Sequence, residues 1–147
     1  MITVALAEIF ERDLNKVKQE ISSYTDEKAI WKTVEGISNS AGNLALHICG
    51  NLRHFVGNTL GNSGYIRQRD LEFSSKDIPS EILLKNIDET INEVKTAVQN
   101  LSEEKLTSIY PIDVFGKQLT TEFFLIHLVA HLNYHLGQIN YHRRMIK

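Results

Sequence analysis

The chain has 147 residues, 42% hydrophobic and 23% charged, with 8 Gly, 2 Pro, a single Cys and a formal net charge of −2. That length suits one domain spanning residues 1–147, which buries about 68–70% of its unfolded surface without a staple. The near-neutral charge argues against nucleic acid as a partner, the lone Cys49 points to the reducing cytoplasm, and no apolar run of about 18 residues exists to cross a membrane.

The first predicted element runs from Ile2 to Tyr24. Leu6, Phe10, Leu14, Val17, Ile21 and Tyr24 recur at steps of three and four, one stripe of an α-helix. Its apolar start is interrupted by Glu8, Glu11, Arg12 and Asp13 with no basic region before it, so it reads as helix rather than signal peptide. The second helix follows Ser40, a suitable N-cap, and continues to Leu60 before Gly61-Asn62-Ser63-Gly64 stops it. Its inward face uses Leu44, His47, Ile48, Asn51, Phe55 and Val56.

The third starts at Pro79-Ser80, where proline is tolerated, and carries the seam Leu84, Ile87, Ile91, Val94, Val98 and Leu101. The fourth starts at Thr120 or Thr121 and reaches Arg144, with Arg143, Arg144 and Lys147 as a cationic helix end. Four rods of about 30 Å, each with one apolar stripe, specify an all-α four-helix bundle. The connection 61–79 is long enough, at about 3.3 Å per residue, to cross over along a whole helix between the second and third rods. The connection 102–120, with Pro111 and Gly116, reads as a loop holding a short helical turn or a small hairpin.

Of six histidines, His127, His131, His135 and His142 lie on the fourth helix and His47 and His54 on the second. At about 100° per residue, His127, His131, His135, Gln138 and His142 share roughly a quarter of the circumference. Imidazoles four residues apart stack about 5–6 Å apart and can converge on one cation. A histidine from the second helix completes a three-nitrogen set. His47 and His54 are about 10 Å apart along the axis, so only one of them can join. Spacing alone leaves His127/His131 and His131/His135 as equal alternatives.

His142 reads as a dipole-complementing or surface histidine, His54 as a satisfied polar residue near a helix end, and Gln138 as a hydrogen-bonding core residue. Cys49 reads as a small buried apolar residue, about 200° around the helix from His47. His-Glu-x-x-His, Glu-x-x-His, Cys-x-x-Cys-His and Gly-x-Gly-x-x-Gly are all absent. These absences argue against a zincin protease, a di-iron carboxylate bundle, covalent haem and a phosphate loop.

The tail His127-Leu-Val-Ala-His131-Leu-Asn-Tyr-His135-Leu-Gly137-Gln138 resembles the last helix of the DinB-like (YfiT-like) metalloenzyme superfamily. The resemblance implies a bundle with an up-down-down-up path, and a metal held by a histidine early in the second helix and a His-x3-His pair on the fourth. His131 and His135 match the pair, and His47, in Leu44-Ala-Leu-His47-Ile, matches the second-helix ligand. His127 matches an upstream histidine not usually counted as a ligand. The stretch Tyr65–Phe73 is similar to that of an uncharacterised branch.

Characterised relatives are metal-dependent transferases that use a low-molecular-weight thiol such as bacillithiol or mycothiol. The expectation is therefore a divalent ion, Zn or Ni, that activates a thiol or water for S-transfer or hydrolysis of a small molecule. Lack of an evident carboxylate ligand argues against a non-haem Fe(II) oxygenase. Rival readings are a non-catalytic dimeric binding module and a bis-histidine haem bundle. A homodimer is expected on base rate.

Overall fold

The computed structural model describes residues 1–146. Four long helices make the bundle: α1 (Ile2–Ser22), α2 (Ala41–Leu52, prolonged by a π-helical turn over Arg53–Asn58), α4 (Ser80–Gln99) and α6 (Thr121–Met145). Two short helices, α3 (Arg69–Ser74) and α5 (Glu103–Thr107), lie in the connections, and a 3-10 turn covers Glu27–Trp31.

The expected caps form. Ser40 Oγ accepts from Asn43 N (3.1 Å) and Thr120 Oγ1 from Phe123 N (3.1 Å), each satisfying an orphan amide of the first turn. The stretch 102–120 holds both a helical turn, α5, and a minimal pairing in which Ile109 bridges Thr120 and Tyr110 N donates to Leu119 O.

Side-chain pairs fix the path. Glu11 pairs with Lys95 and Lys18 with Asp88, so α1 and α4 are antiparallel. Asp13 meets Asn133 while Glu20 meets Asn140 and Arg143, so α1 and α6 are parallel. Arg53 pairs with Glu93, and Gly61 lies against Ala97, so α2 and α4 are parallel. Phe55 packs on Phe124, and His47 faces His131 and His135, so α2 and α6 are antiparallel. The bundle therefore runs up-down-down-up, and the parallel α2–α4 step requires the crossover of residues 62–79.

That crossover has secondary structure of its own. It contains α3, whose six residues have no repeat of an apolar stripe to announce them. The expected seam of α4 is buried at Ile87, Val94, Val98 and Leu101, and the buried stripe is wider than expected on one side. Leu83, Ile87, Thr90, Val94 and Ala97 are buried, while Leu84 and Ile91 are only partly so. The reason is that α4 packs on two neighbours, α1 and α2, which widens its buried stripe.

The core gathers Phe10, Leu14, Ile21, Ile48, Leu52 and Phe124 from three of the rods. Nearly all of α2 is buried, because it is wrapped by α4, α6, α3 and the Glu27–Trp31 turn. Two of its positions have no room for a side chain. A Cβ at Gly42 would sit 2.6 Å from the Trp31 indole, and one at Gly50 would run into the Glu72 carboxyl group.

Candidate metal centre

His47 faces inward from the second turn of α2, and His131 and His135 stand one turn apart in the middle of α6. Because α2 and α6 are antiparallel neighbours, the three rings meet between them. His131 Nε2 lies 3.3 Å from His47 Nε2 and 3.2 Å from His135 Nε2. One donor atom from each of the three residues falls within 4.8 Å of the others, a grouping that could hold a metal ion.

The far nitrogens of two rings are engaged from behind. His47 Nδ1 donates to Glu72 Oε1 (3.0 Å) and His135 Nδ1 donates to Gln138 Oε1 (2.8 Å). Each of these bonds fixes the tautomer, so the Nε2 lone pair of both rings is turned toward His131. Three imidazole nitrogens facing one point repel one another unless a proton or a cation lies between them.

The donor set fits a divalent ion of the zinc type. Bonds of about 2.0–2.1 Å at tetrahedral angles separate ligand nitrogens by about 3.3 Å, close to the two short separations found here. Imidazole suits Zn, Cu, Fe and Ni alike, so the donors alone do not select the element. The 3.3 Å between the Nε2 atoms of His47 and His131 leaves no gap for a porphyrin plane between those two rings.

Glu72 is the component that sequence reading missed. It comes from α3, is 5% exposed, and receives both Nε and Nη2 of Arg67 at 2.9 Å in addition to His47. The 3.4 Å approach of Arg67 Nη2 to His47 Nδ1 is a by-product of this shared carboxylate. Burial alone would raise the Glu72 carboxyl. The hydrogen bonds from His47 and Arg67, with the Arg67 charge, outweigh burial and hold it below the ordinary carboxylate range.

Asn43 positions α3. Its Nδ2 donates to the carbonyls of Glu72 (2.9 Å) and Ser75 (2.8 Å), and its Oδ1 accepts from Ser40 Oγ (2.7 Å). Gly50 supplies the notch into which the Glu72 carboxyl fits. No spacing rule ties residues 67 and 72 to residue 47. Arg67 and Glu72 do not stand out in the sequence, because Arg69, Asp70, Lys76 and Asp77 charge the same connection.

Burial and neighbouring groups favour the neutral form of His131 and His135. Burial first, then the imidazoles of His135, His47 and His127, push His131 down to about 4. Burial also lowers His135, against the raising influence of Gln138. Metal ligation requires unprotonated imidazole, so these shifts favour it.

The remaining histidines separate clearly. His127 lies one turn before His131, among Phe115 (ring centroids 4.8 Å) and Phe124 (5.9 Å) rather than in the three-ring cluster. His54 is half-buried against the ring of Phe55. His142 is a correction: it is 6% exposed, with Nδ1 sharing a 2.6 Å bond with Tyr24 Oη and Nε2 donating to Lys32 O (2.8 Å). It turns inward because α6 is parallel to α1, whose end carries Tyr24. Gln138 is exposed rather than in the core, and its contact is with His135. Cys49 is buried, as expected, and burial pushes its thiol up to about 12.

A helical bundle with this path has the DinB-like fold. The chain matches, over residues 4–147, the family described as "Protein of unknown function (DUF1572)", a DinB-like family, and it belongs to that family. It is similar in structure to a DinB-like protein from Bacillus cereus ATCC 10987, with a TM-score of 0.69 and 20% identity. That likeness covers 90% of this chain and 84% of the other, and it establishes the fold. No curated protein matches the chain.

Proposed function

We propose that the protein is a metal-dependent enzyme in which His47, His131 and His135 hold a divalent cation, Zn or Ni, and a thiol or water is the nucleophile for S-transfer or hydrolysis of a small molecule. The observation that carries this reading is the convergence of three Nε2 atoms, two of them with Nδ1 already committed to an acceptor. A cation held by neutral imidazoles keeps its full charge and lowers the pKa of a bound thiol or water.

The chain's own groups do the rest. Glu72 and Gln138 orient His47 and His135, and Arg67 locks Glu72 in place. Phe73 lies 5.0 Å from the His47 ring and shields it from solvent. Cys49 is unsuited to act as a protein nucleophile because it is buried and protonated. Within this reading a low-molecular-weight thiol such as bacillithiol or mycothiol is the cosubstrate, and the chain works as one cytoplasmic domain that forms a homodimer.

Elemental analysis of the purified chain tests the site. Substitution of His47, His131 or His135 by Ala is expected to abolish stoichiometric metal, and His142→Ala to leave it. Full metal content in His131→Ala or His135→Ala refutes the assignment. A thiol-transfer and hydrolysis screen, with and without chelator, then tests the chemistry. Turnover that survives complete metal removal would overturn it.

A further inference from the structure

Beside the three histidines lies a cavity of about 300 Å³, within the size range of ligand sites. His47 and His131 form part of its wall. Among the described residues that line it are two guanidinium groups, Arg67 and Arg69, and no carboxylate. The two arginines differ. Arg67 commits Nε and Nη2 to Glu72, which offsets its charge. Arg69 makes no ion pair among the described residues and lies over the Phe73 ring at 5.5 Å.

The lining also holds aromatic rings, and the Arg67 guanidinium lies over that of Phe55 at 5.8 Å. Phe55 packs edge-on to Phe124 at 5.3 Å, and Phe115 and Phe124 flank the His127 ring. Phe115 and Val114 reach the cavity from the connection before α6 and stay 47% and 38% exposed, so the bundle core does not consume them. The buried amide of Asn51 also belongs to the wall, and its Oδ1 has no hydrogen-bond partner.

We propose that this cavity binds a compact organic anion with a flat apolar body, its carboxylate held by Arg69 and its body lying against Phe115 and the partly buried Phe55. The physical grounds are a guanidinium with no ion pair, the Phe115 ring left open at the cavity, and a lining without any acid that would repel an anion there. A body seated on those rings lies beside His47 and His131. The inference rests on the metal reading only for which part of the ligand would react; binding itself needs the cavity alone.

The test is isothermal titration calorimetry on the full chain, zinc-loaded and metal-free, with phenylacetate, its neutral amide phenylacetamide, and phenethylamine. Phenylacetate is expected to bind about ten- to a hundredfold more tightly than the amide, the range of one charge-assisted hydrogen bond, and the amine not at all. Arg69→Met is expected to erase the preference for the acid while leaving metal content and thermal stability unchanged. Phe115→Ala is expected to weaken acid and amide alike.

Equal binding of acid and amide, no binding of phenylacetate, or an unchanged preference in Arg69→Met each overturns the proposal. Metal content is measured on the same samples, so the two readings fail separately. A chain that prefers the anion but holds no metal refutes the metal site alone. One that holds metal without the preference refutes the cavity assignment alone.

Discussion

Replacing Gly50 by Ala sets two physical effects against each other with opposite signs. Gly50 is inside α2, and on intrinsic propensity alone Ala there stabilises a helix by about 1 kcal/mol. The added Cβ would lie 2.6 Å from Glu72 Cδ and 3.3 Å from Cγ, with Oε2 closer still. A flexible carboxylate in solvent would swing aside at little cost. Glu72 is not free to do so: its side chain is 6% exposed and bound by two nitrogens of Arg67 and one of His47.

Overpacking of this kind costs about 1–3 kcal/mol, and each hydrogen bond to a charged group that breaks costs about 1.5–3 kcal/mol. The net expectation is that Gly50→Ala loses about 1–3 kcal/mol of stability, despite its better helix former. Displacing the carboxylate behind His47, a ligand in the proposed site, is also expected to lower metal affinity about 10–100-fold. Urea unfolding of the metal-free chain reads the first effect, and competition with a chromophoric zinc chelator reads the second. Glu72→Gln is the companion variant, which removes the charge without adding bulk and should lower metal affinity without the overpacking penalty. A Gly50→Ala chain that is equal or greater in stability, with unchanged metal affinity, would refute the role given to Glu72 and its notch.

Other outcomes follow from the same contacts. Asn43→Ala should loosen α3 and weaken metal binding several-fold without touching any histidine, measurable in the same chelator assay; unchanged affinity would show that α3 is held by something else. His142→Phe should cost about 1–3 kcal/mol, since it removes the partner of the Tyr24 hydroxyl and the hydrogen bond to the Lys32 carbonyl, yet leave metal content intact. In the metal-free chain His131 has a folded pKa of about 4 against an ordinary value of 6.5. The unfolded chain therefore binds more protons between those values, so stability is full above about pH 6.5 and falls as the pH drops toward 4. His135 is lowered too and adds in the same direction. Urea midpoints across that window test this, and His131→Gln should flatten the slope; a constant midpoint in the parent chain would contradict the depressed value.

Four apolar stripes, the Ser40 and Thr120 caps and the glycine-rich stop after Leu60 are local features, and local periodicity alone makes the bundle legible from them. The His-x3-His spacing is local in the same sense, since residues four apart on a helix always stack. What spacing could not do was choose between His127/His131 and His131/His135. The choice depends on how α6 slides along α2, which sets His47 beside His131 and His135 and leaves His127 among phenylalanines. The meeting of the Arg67–Glu72 pair with His47, the Asn43 clamp and the inward turn of His142 depend likewise on residues 20 to 118 positions apart meeting in space. Such meetings leave no periodic mark, because what selects them is the fit of one surface to another rather than the order of neighbours along the chain.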